Sequence, residues 1–183
     1  MKGTIEVITG CMCCGKTEEL IRRLWRAKIA KQPVAVFKPL IDVREDCLKS
    51  RNGQTMEAEE VQCIQEIIKR SRDFSIIGID EAQFFPDLMK INILVDQGKR
   101  VIVSALDTDF RGEPFGDVPD LIAISDEHLL LKAICVQCGA LALRSQRLID
   151  GKPAPYGSPL IAIGDRDMYE PRCRNCHAVP GRP

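Results

Sequence analysis

The stretch Ile5-Glu6-Val7-Ile8-Thr9-Gly10-Cys11-Met12-Cys13-Cys14-Gly15-Lys16-Thr17 decides the fold. An apolar run ends in a turn with glycines five positions apart, and Lys16-Thr17 opens a polar, helix-forming stretch. Glycines in such a turn let backbone N–H groups converge on phosphate oxygens. A lysine then reaches the β and γ phosphates, and the hydroxyl that follows can ligate magnesium. Strand, loop and helix in this order predict a nucleoside triphosphate site in which Gly10, Cys11, Met12, Cys13, Cys14, Gly15, Lys16 and Thr17 form the cradle.

The rest of the chain fits around that unit. Strand 4–9 and helix 16–31 are followed by strand 33–38, a polar loop over 41–55, and a helix over 57–70 whose start is marked by Glu57, Glu59 and Glu60. Phe74 to Ile79 is a continuous apolar run, as in strands buried on both faces. A helix over 86–97, Gly98 and a strand from Arg100 to Ala105 complete another unit, and Asp107 to Asp120 reads as a loop. The alternation predicts an α/β fold, a phosphate-loop parallel sheet flanked by helices, over residues 1–132. Residues 133–183, with short apolar runs and Gly/Pro-rich turns, predict a small C-terminal metal-binding module.

Composition narrows the function. The chain has 183 residues, 45% hydrophobic and 28% charged, and its 26 basic side chains balance 26 acidic ones. No overall field favours nucleic acid or a membrane surface, and no apolar run is long enough to span a bilayer. Without a signal-like N-terminal stretch, a cytoplasmic location is expected. Nine cysteines then read as reduced thiols rather than disulfides. Cys135-Val136-Gln137-Cys138 and Cys173-Arg174-Asn175-Cys176 each have the two-residue spacing that turns both sulfurs to one tetrahedral ion. Structural zinc is the reading, with His177 beside Cys176 as a substitute fourth ligand.

Asp80-Glu81 closes the buried apolar strand, the edge where ligands of open α/β sheets collect. Asp80 is placed to hold magnesium, and Glu81 to orient or deprotonate an attacking hydroxyl, of water or of a substrate alcohol. The bland alternative is that the pair only caps the next helix.

With Lys38-Pro39-Leu40-Ile41-Asp42-Val43-Arg44, Ile79-Asp80-Glu81-Ala82-Gln83-Phe84-Phe85, Ala105-Leu106-Asp107, Phe110, Pro114-Phe115-Gly116 and both cysteine knuckles, the order of motifs resembles the type II thymidine kinases, along nearly the whole chain. The resemblance implies ATP-dependent phosphorylation of the 5′-hydroxyl of thymidine, with Glu81 as general base, Lys16 on the phosphates, Asp80 and Thr17 at magnesium, and a zinc-held lasso. It also implies a homotetramer. Leu106, Phe110, Phe115, Ser145, Ile161, Ile163 and Tyr169 become the nucleoside-pocket residues, although Phe110, Phe115 and Tyr169 taken singly read more often as packing residues than as ligand contacts. Trp25, with Leu20, Ile21, Leu24 and Ile29, forms a helical stripe for the core or a subunit interface. Zinc, anchoring both ends of the lasso, is expected to lie remote from the chemistry.

Two segments depart from the family. Cys11 replaces a proline and Cys13-Cys14 an aromatic-serine pair, so the loop thiols read either as reactive groups or as small packing residues. Ser50-Arg51-Asn52-Gly53 carries an arginine where members commonly have histidine, and Arg51 is taken as a phosphate contact. Arg44 is either a phosphate-site supporter or a surface ion pair. The competing classes are an ATP-hydrolysing domain and a zinc-ribbon nucleic-acid binder that retains a phosphate loop; the sparse basic tail of Arg172, Arg174 and Arg182 argues against the latter.

Overall fold

The computed structural model describes residues 2–41, 47–49, 53, 55–161 and 168–183. Its centre is a six-stranded parallel sheet ordered β5-β2-β6-β7-β1-β8. These strands are β1 (Thr4–Thr9), β2 (Val34–Pro39), β5 (Glu59–Val61), β6 (Ile76–Ile79), β7 (Arg100–Ala105) and β8 (Glu127–Leu130). Alternate side chains of each strand leave on opposite faces. Val7, Phe37, Ile77, Ile79, Val101 and Val103 meet Ile64, Ile67, Leu88, Ile91, Leu94 and Leu121 from the helical layer on one side. Ile8, Val36, Ile76 and Ile102 meet Leu20, Ile21, Leu24 and Ala27 of α1 (Lys16–Ile29) on the other. Of the stripe read on this helix, Leu20, Ile21 and Leu24 are core, whereas Trp25 and Ile29 face outward on this chain.

Two expected helices change. The reading of helix from 57 is corrected: Thr55–Glu57 forms β4, which pairs with β3 (Cys47–Lys49), and Glu59–Val61 adds to the sheet edge beside β2. The acidic residues there are strand residues, and Glu60 faces the buried Lys38 ammonium at 3.0 Å. Helix α2 begins only at Ile64 and runs to Arg70. Its first N–H groups, of Ile64 and Gln65, are capped by Asp87 from another segment at 2.8 and 3.3 Å. A cap supplied by tertiary structure leaves no local signal at the helix start. The second helix, expected over 86–97, is a 3₁₀ turn over Leu88–Lys90 followed by α3 (Ile91–Asp96), and the loop expected after Asp107 contains α4 (Val118–Ala123).

Beyond β8 the chain forms small antiparallel pieces. β9 (Ala133–Ile134) pairs with β10 (Leu141–Ala142), and β11 (Arg144–Ile149) lies between β12 (Lys152–Pro153) and β13 (Tyr169–Arg172). No helix among the described residues is long and apolar enough to cross a membrane.

One buried cation ties the helical layer to the sheet. Lys99 is 6% exposed, and its Nζ donates to the carbonyls of Ser71, Arg72 and Phe74 at 2.7, 3.3 and 2.7 Å, where α2 ends. Lys99→Met keeps the bulk and strands three carbonyls. The expected loss is ~2–3 kcal/mol, measured as a lower urea midpoint at unchanged slope.

Candidate active site

The loop after β1 folds as its glycines demand. Gly10 has φ 139°, and a Cβ there would come within 2.3 Å of the Leu131 carbonyl oxygen and 2.8 Å of Cys14 Sγ. Only glycine fits. Gly15, at φ 91°, delivers the chain into α1. Lys16, 8% exposed, turns back so that Nζ donates to the Cys11 carbonyl at 2.9 Å and lies 4.0 Å from Cys14 Sγ. The Cys14 thiol lies against the cluster of Cys11, and the interaction of the two sulfurs holds Cys14 down at about 7 and, with burial, pushes Cys11 well up.

The carboxylates at the end of β6 sit against this loop. Asp80 accepts from Thr17 Oγ1 at 3.1 Å on one oxygen and from Ser104 Oγ on the other. Burial and then the adjacent Glu81 push its carboxyl up to about 6. Oxygen donors around a buried acid suit a hard divalent cation, so Thr17 and Asp80 fit magnesium. Glu81 itself is buried and held at φ 49°, a left-handed conformation that costs a non-glycine residue on the order of 1 kcal/mol. Gln83 Nε2 donates to Glu81 Oε2 at 2.5 Å, while Gln83 Oε1 accepts from the Leu106 N–H at 3.0 Å. A backbone donor thus fixes which way the amide faces, and the amide fixes the carboxylate.

Sequence reading missed Gln83 and Ser104 as site residues. Ser104 has one signal, a hydroxyl interrupting the apolar run of β7, and it is fully buried. Two arginines were missed as well. Arg111 lies between the rings of Phe110 and Tyr156, at 5.2 and 4.8 Å, and donates to the Ser158 carbonyl at 3.0 Å. Arg147, buried over the same Phe110 ring, donates to the Pro159 carbonyl at 2.6 Å. Together they fasten the segment after β12 to the body.

The expected pocket residues divide. Phe115 packs edge-on against Phe84 beside the buried Leu106, Phe110 lies under Arg147, and Tyr169 is opposite Arg147 in the β11–β13 register. Ser145 Oγ accepts the Met12 N–H at 2.9 Å, so this hydroxyl touches the phosphate loop directly. Ile161 is 43% exposed. Arg44, Arg51 and Ile163 lie outside the described residues.

The four knuckle sulfurs of Cys135, Cys138, Cys173 and Cys176 lie within 4.8 Å of one another. Cys138 Sγ and Cys173 Sγ are 3.6 Å apart. Tetrahedral Zn–S bonds of ~2.3 Å require sulfurs about 3.8 Å apart, so the set fits structural zinc. His177 is engaged elsewhere: its Nε2 bonds the Phe110 carbonyl at 2.9 Å, and burial lowers its pKa, which suits a neutral ring donating Nε2–H. The expectation of a metal remote from the chemistry is corrected. Cys11 packs in one cluster with Cys135 and Cys173, with Cys14 and Cys176 against it, so the knuckles abut the phosphate loop.

Two outcomes check this geometry. Asp80→Asn removes one of two adjacent buried acids and stabilises the ligand-free protein by ~1–2 kcal/mol at neutral pH; a lowered melting temperature would refute the like-charge account. Cys138→Ser reduces bound zinc from about one ion per chain to none. Because the knuckles brace the loop, it weakens nucleotide binding too, measured by metal content and nucleotide titration on the same sample.

The phosphate loop faces two buried carboxylates, and a four-cysteine module stands against it. The family model for thymidine kinase matches residues 3–177. The chain therefore belongs to the thymidine kinase family, as a member of its zinc-bearing type II branch.

Proposed function

We propose that this protein transfers the γ-phosphate of ATP to the 5′-hydroxyl of thymidine, giving thymidine monophosphate for pyrimidine salvage. The observation that carries the reading is the pair of carboxylates at the end of β6, one bonded to Thr17 of the phosphate loop and the other held by Gln83. Residues 1–132 bind ATP and 133–183 form the lasso over the nucleoside. A cytoplasmic homotetramer is part of the same proposal.

Lys16 leaves the Cys11 carbonyl to meet the β and γ phosphates, and N–H groups of the loop other than that of Met12, which Ser145 holds, cradle them. Arg51 adds a phosphate contact. Thr17 and Asp80 hold magnesium, which screens charge on the transferring group. Glu81 accepts the 5′-hydroxyl proton on its carboxylate as the oxygen attacks. Gln83 is a positioning residue, since it bonds the carboxylate and not the reacting atoms. Leu106, Phe110, Phe115, Ser145, Ile161, Ile163 and Tyr169 surround the flat pyrimidine. One methyl separates thymidine from deoxyuridine, worth only ~1–3 kcal/mol in such a pocket, so deoxyuridine is the competitor to test.

The assay is phosphate transfer from ATP-magnesium to a panel of nucleosides, with the product identified by mass. Thymidine monophosphate is the expected product. Glu81→Gln lowers kcat by about 10²–10⁴ while ATP still binds. Gln83→Leu lowers kcat by roughly tenfold with a shifted pH profile and little change in KM. ATP consumption without any nucleoside monophosphate would overturn the reading in favour of a hydrolase.

A further inference from the structure

The phosphate loop carries a pair of thiols that phosphoryl transfer does not use. Cys11 and Cys14 stand at the two ends of the turn centred on Met12 and Cys13, and Cys14 packs against the buried cluster that holds Cys11. The ends of such a turn lie less than about 7 Å apart at Cα, close to the range of about 4.4–6.8 Å that a disulfide spans. Cys11 is 1% exposed, with Sγ donating to the Ala142 carbonyl at 3.4 Å. Cys14 is only half-buried, and the Lys16 ammonium lies 4.0 Å from its sulfur. One thiol is thus reachable and beside a cation, and its partner waits behind it.

We propose that Cys11 and Cys14 are an oxidisable dithiol, a modification site at which one disulfide closes the phosphate loop to nucleotide. The inference rests on the loop's being the ATP site. The oxidant is a peroxide. The Cys14 thiolate attacks one oxygen of hydrogen peroxide, the O–O bond breaks, and a sulfenic acid forms with release of hydroxide. Cys11 sulfur then attacks Cys14 sulfur; the S–S bond forms, the S–O bond breaks, the departing oxygen takes the Cys11 proton and leaves as water, and the proton that Cys14 lost on ionising neutralises the hydroxide of the first step. Two thiols and one peroxide become one disulfide and two waters. A small-molecule dithiol reverses the change.

The consequence is geometric. A sulfur–sulfur bond of ~2.05 Å draws Cys11 Sγ off the Ala142 carbonyl and twists the turn between the two cysteines, whose N–H groups must point together at phosphate. Cys13 already sits at φ 67°, so the turn has little freedom to absorb the change. Lys16 is left on the carbonyl of Cys11.

The test uses the full-length, zinc-loaded protein treated with hydrogen peroxide, with zinc release followed throughout. Peptide mapping is expected to show a loop peptide lacking two hydrogens, in which Cys13 still alkylates. ATP affinity falls at least about tenfold and returns on adding dithiothreitol. Cys63→Ser, outside the phosphate loop, keeps this reversible response; Cys11→Ser and Cys14→Ser lose it, and both still report by peptide mapping whether any other disulfide forms. A bond that includes Cys13, or zinc release before loop oxidation, overturns the assignment. A mapped Cys11–Cys14 bond with undiminished ATP affinity overturns the switch alone. A reduced protein that binds no ATP overturns the nucleotide reading and the switch with it.

Discussion

The site depends on the parallel register of β6, β7 and β1. Ile79 is level with Val103, and Ile8 with Ser104, so Asp80, Ser104 and the start of the phosphate loop come to one height at one sheet edge. Parallel strands with crossovers on both faces force all carboxyl ends to that edge. A one-residue slip in β7 would send Ser104 to the opposite face. Asp80 would then lose one of its two hydroxyl donors, and Leu106 would no longer present its N–H to Gln83. The geometry of the site is therefore a by-product of core packing: Val101 and Val103 fix the register by burying on the side of α2, α3 and α4, while Ile102 buries under α1.

That arrangement keeps charge where the bare fold is least comfortable with it. Two acids are adjacent and buried, one with its carboxyl pushed up and the other on a left-handed backbone. Hydroxyls of Thr17 and Ser104 hold Asp80 in place, and the Gln83 amide holds Glu81. By contrast, Glu6 is paired with both Arg23 and Arg100 and joins α1, β1 and β7.

What the sequence revealed follows from how local each signal is. The phosphate loop, Asp80-Glu81 and the cysteine pairs depend on spacings within a few residues, and their side chains stand together as their types suggest. Gln83 and Ser104 acquire meaning only through Leu106 and Asp80, partners more than twenty residues away. Arg111 and Arg147 likewise matter because of carbonyls in a loop that no pattern aligns with them. Helix α2 was misplaced for the same reason, its cap being Asp87. The central strands were legible because they are buried on both faces and therefore continuously apolar. The short β5 was hidden by the glutamates that make it an edge.

The position of the zinc module changes how the two halves of the reaction relate. A loop that binds phosphate through backbone N–H groups needs each of them aimed, yet the Met12 N–H is given to Ser145 Oγ of β11. The neighbouring Cys11 thiol is given to the Ala142 carbonyl of β10. Both acceptors belong to the module whose knuckles hold zinc, and His177 ties that module on to the Phe110 carbonyl under Arg147. The phosphate loop and the segment flanking Phe110 are thus fixed to the same small, metal-clamped scaffold. A rigid common wall of this kind transmits displacement, because packed groups cannot shift singly. A metal held by the four knuckle cysteines would therefore brace the phosphate loop and the segment flanking Phe110 together.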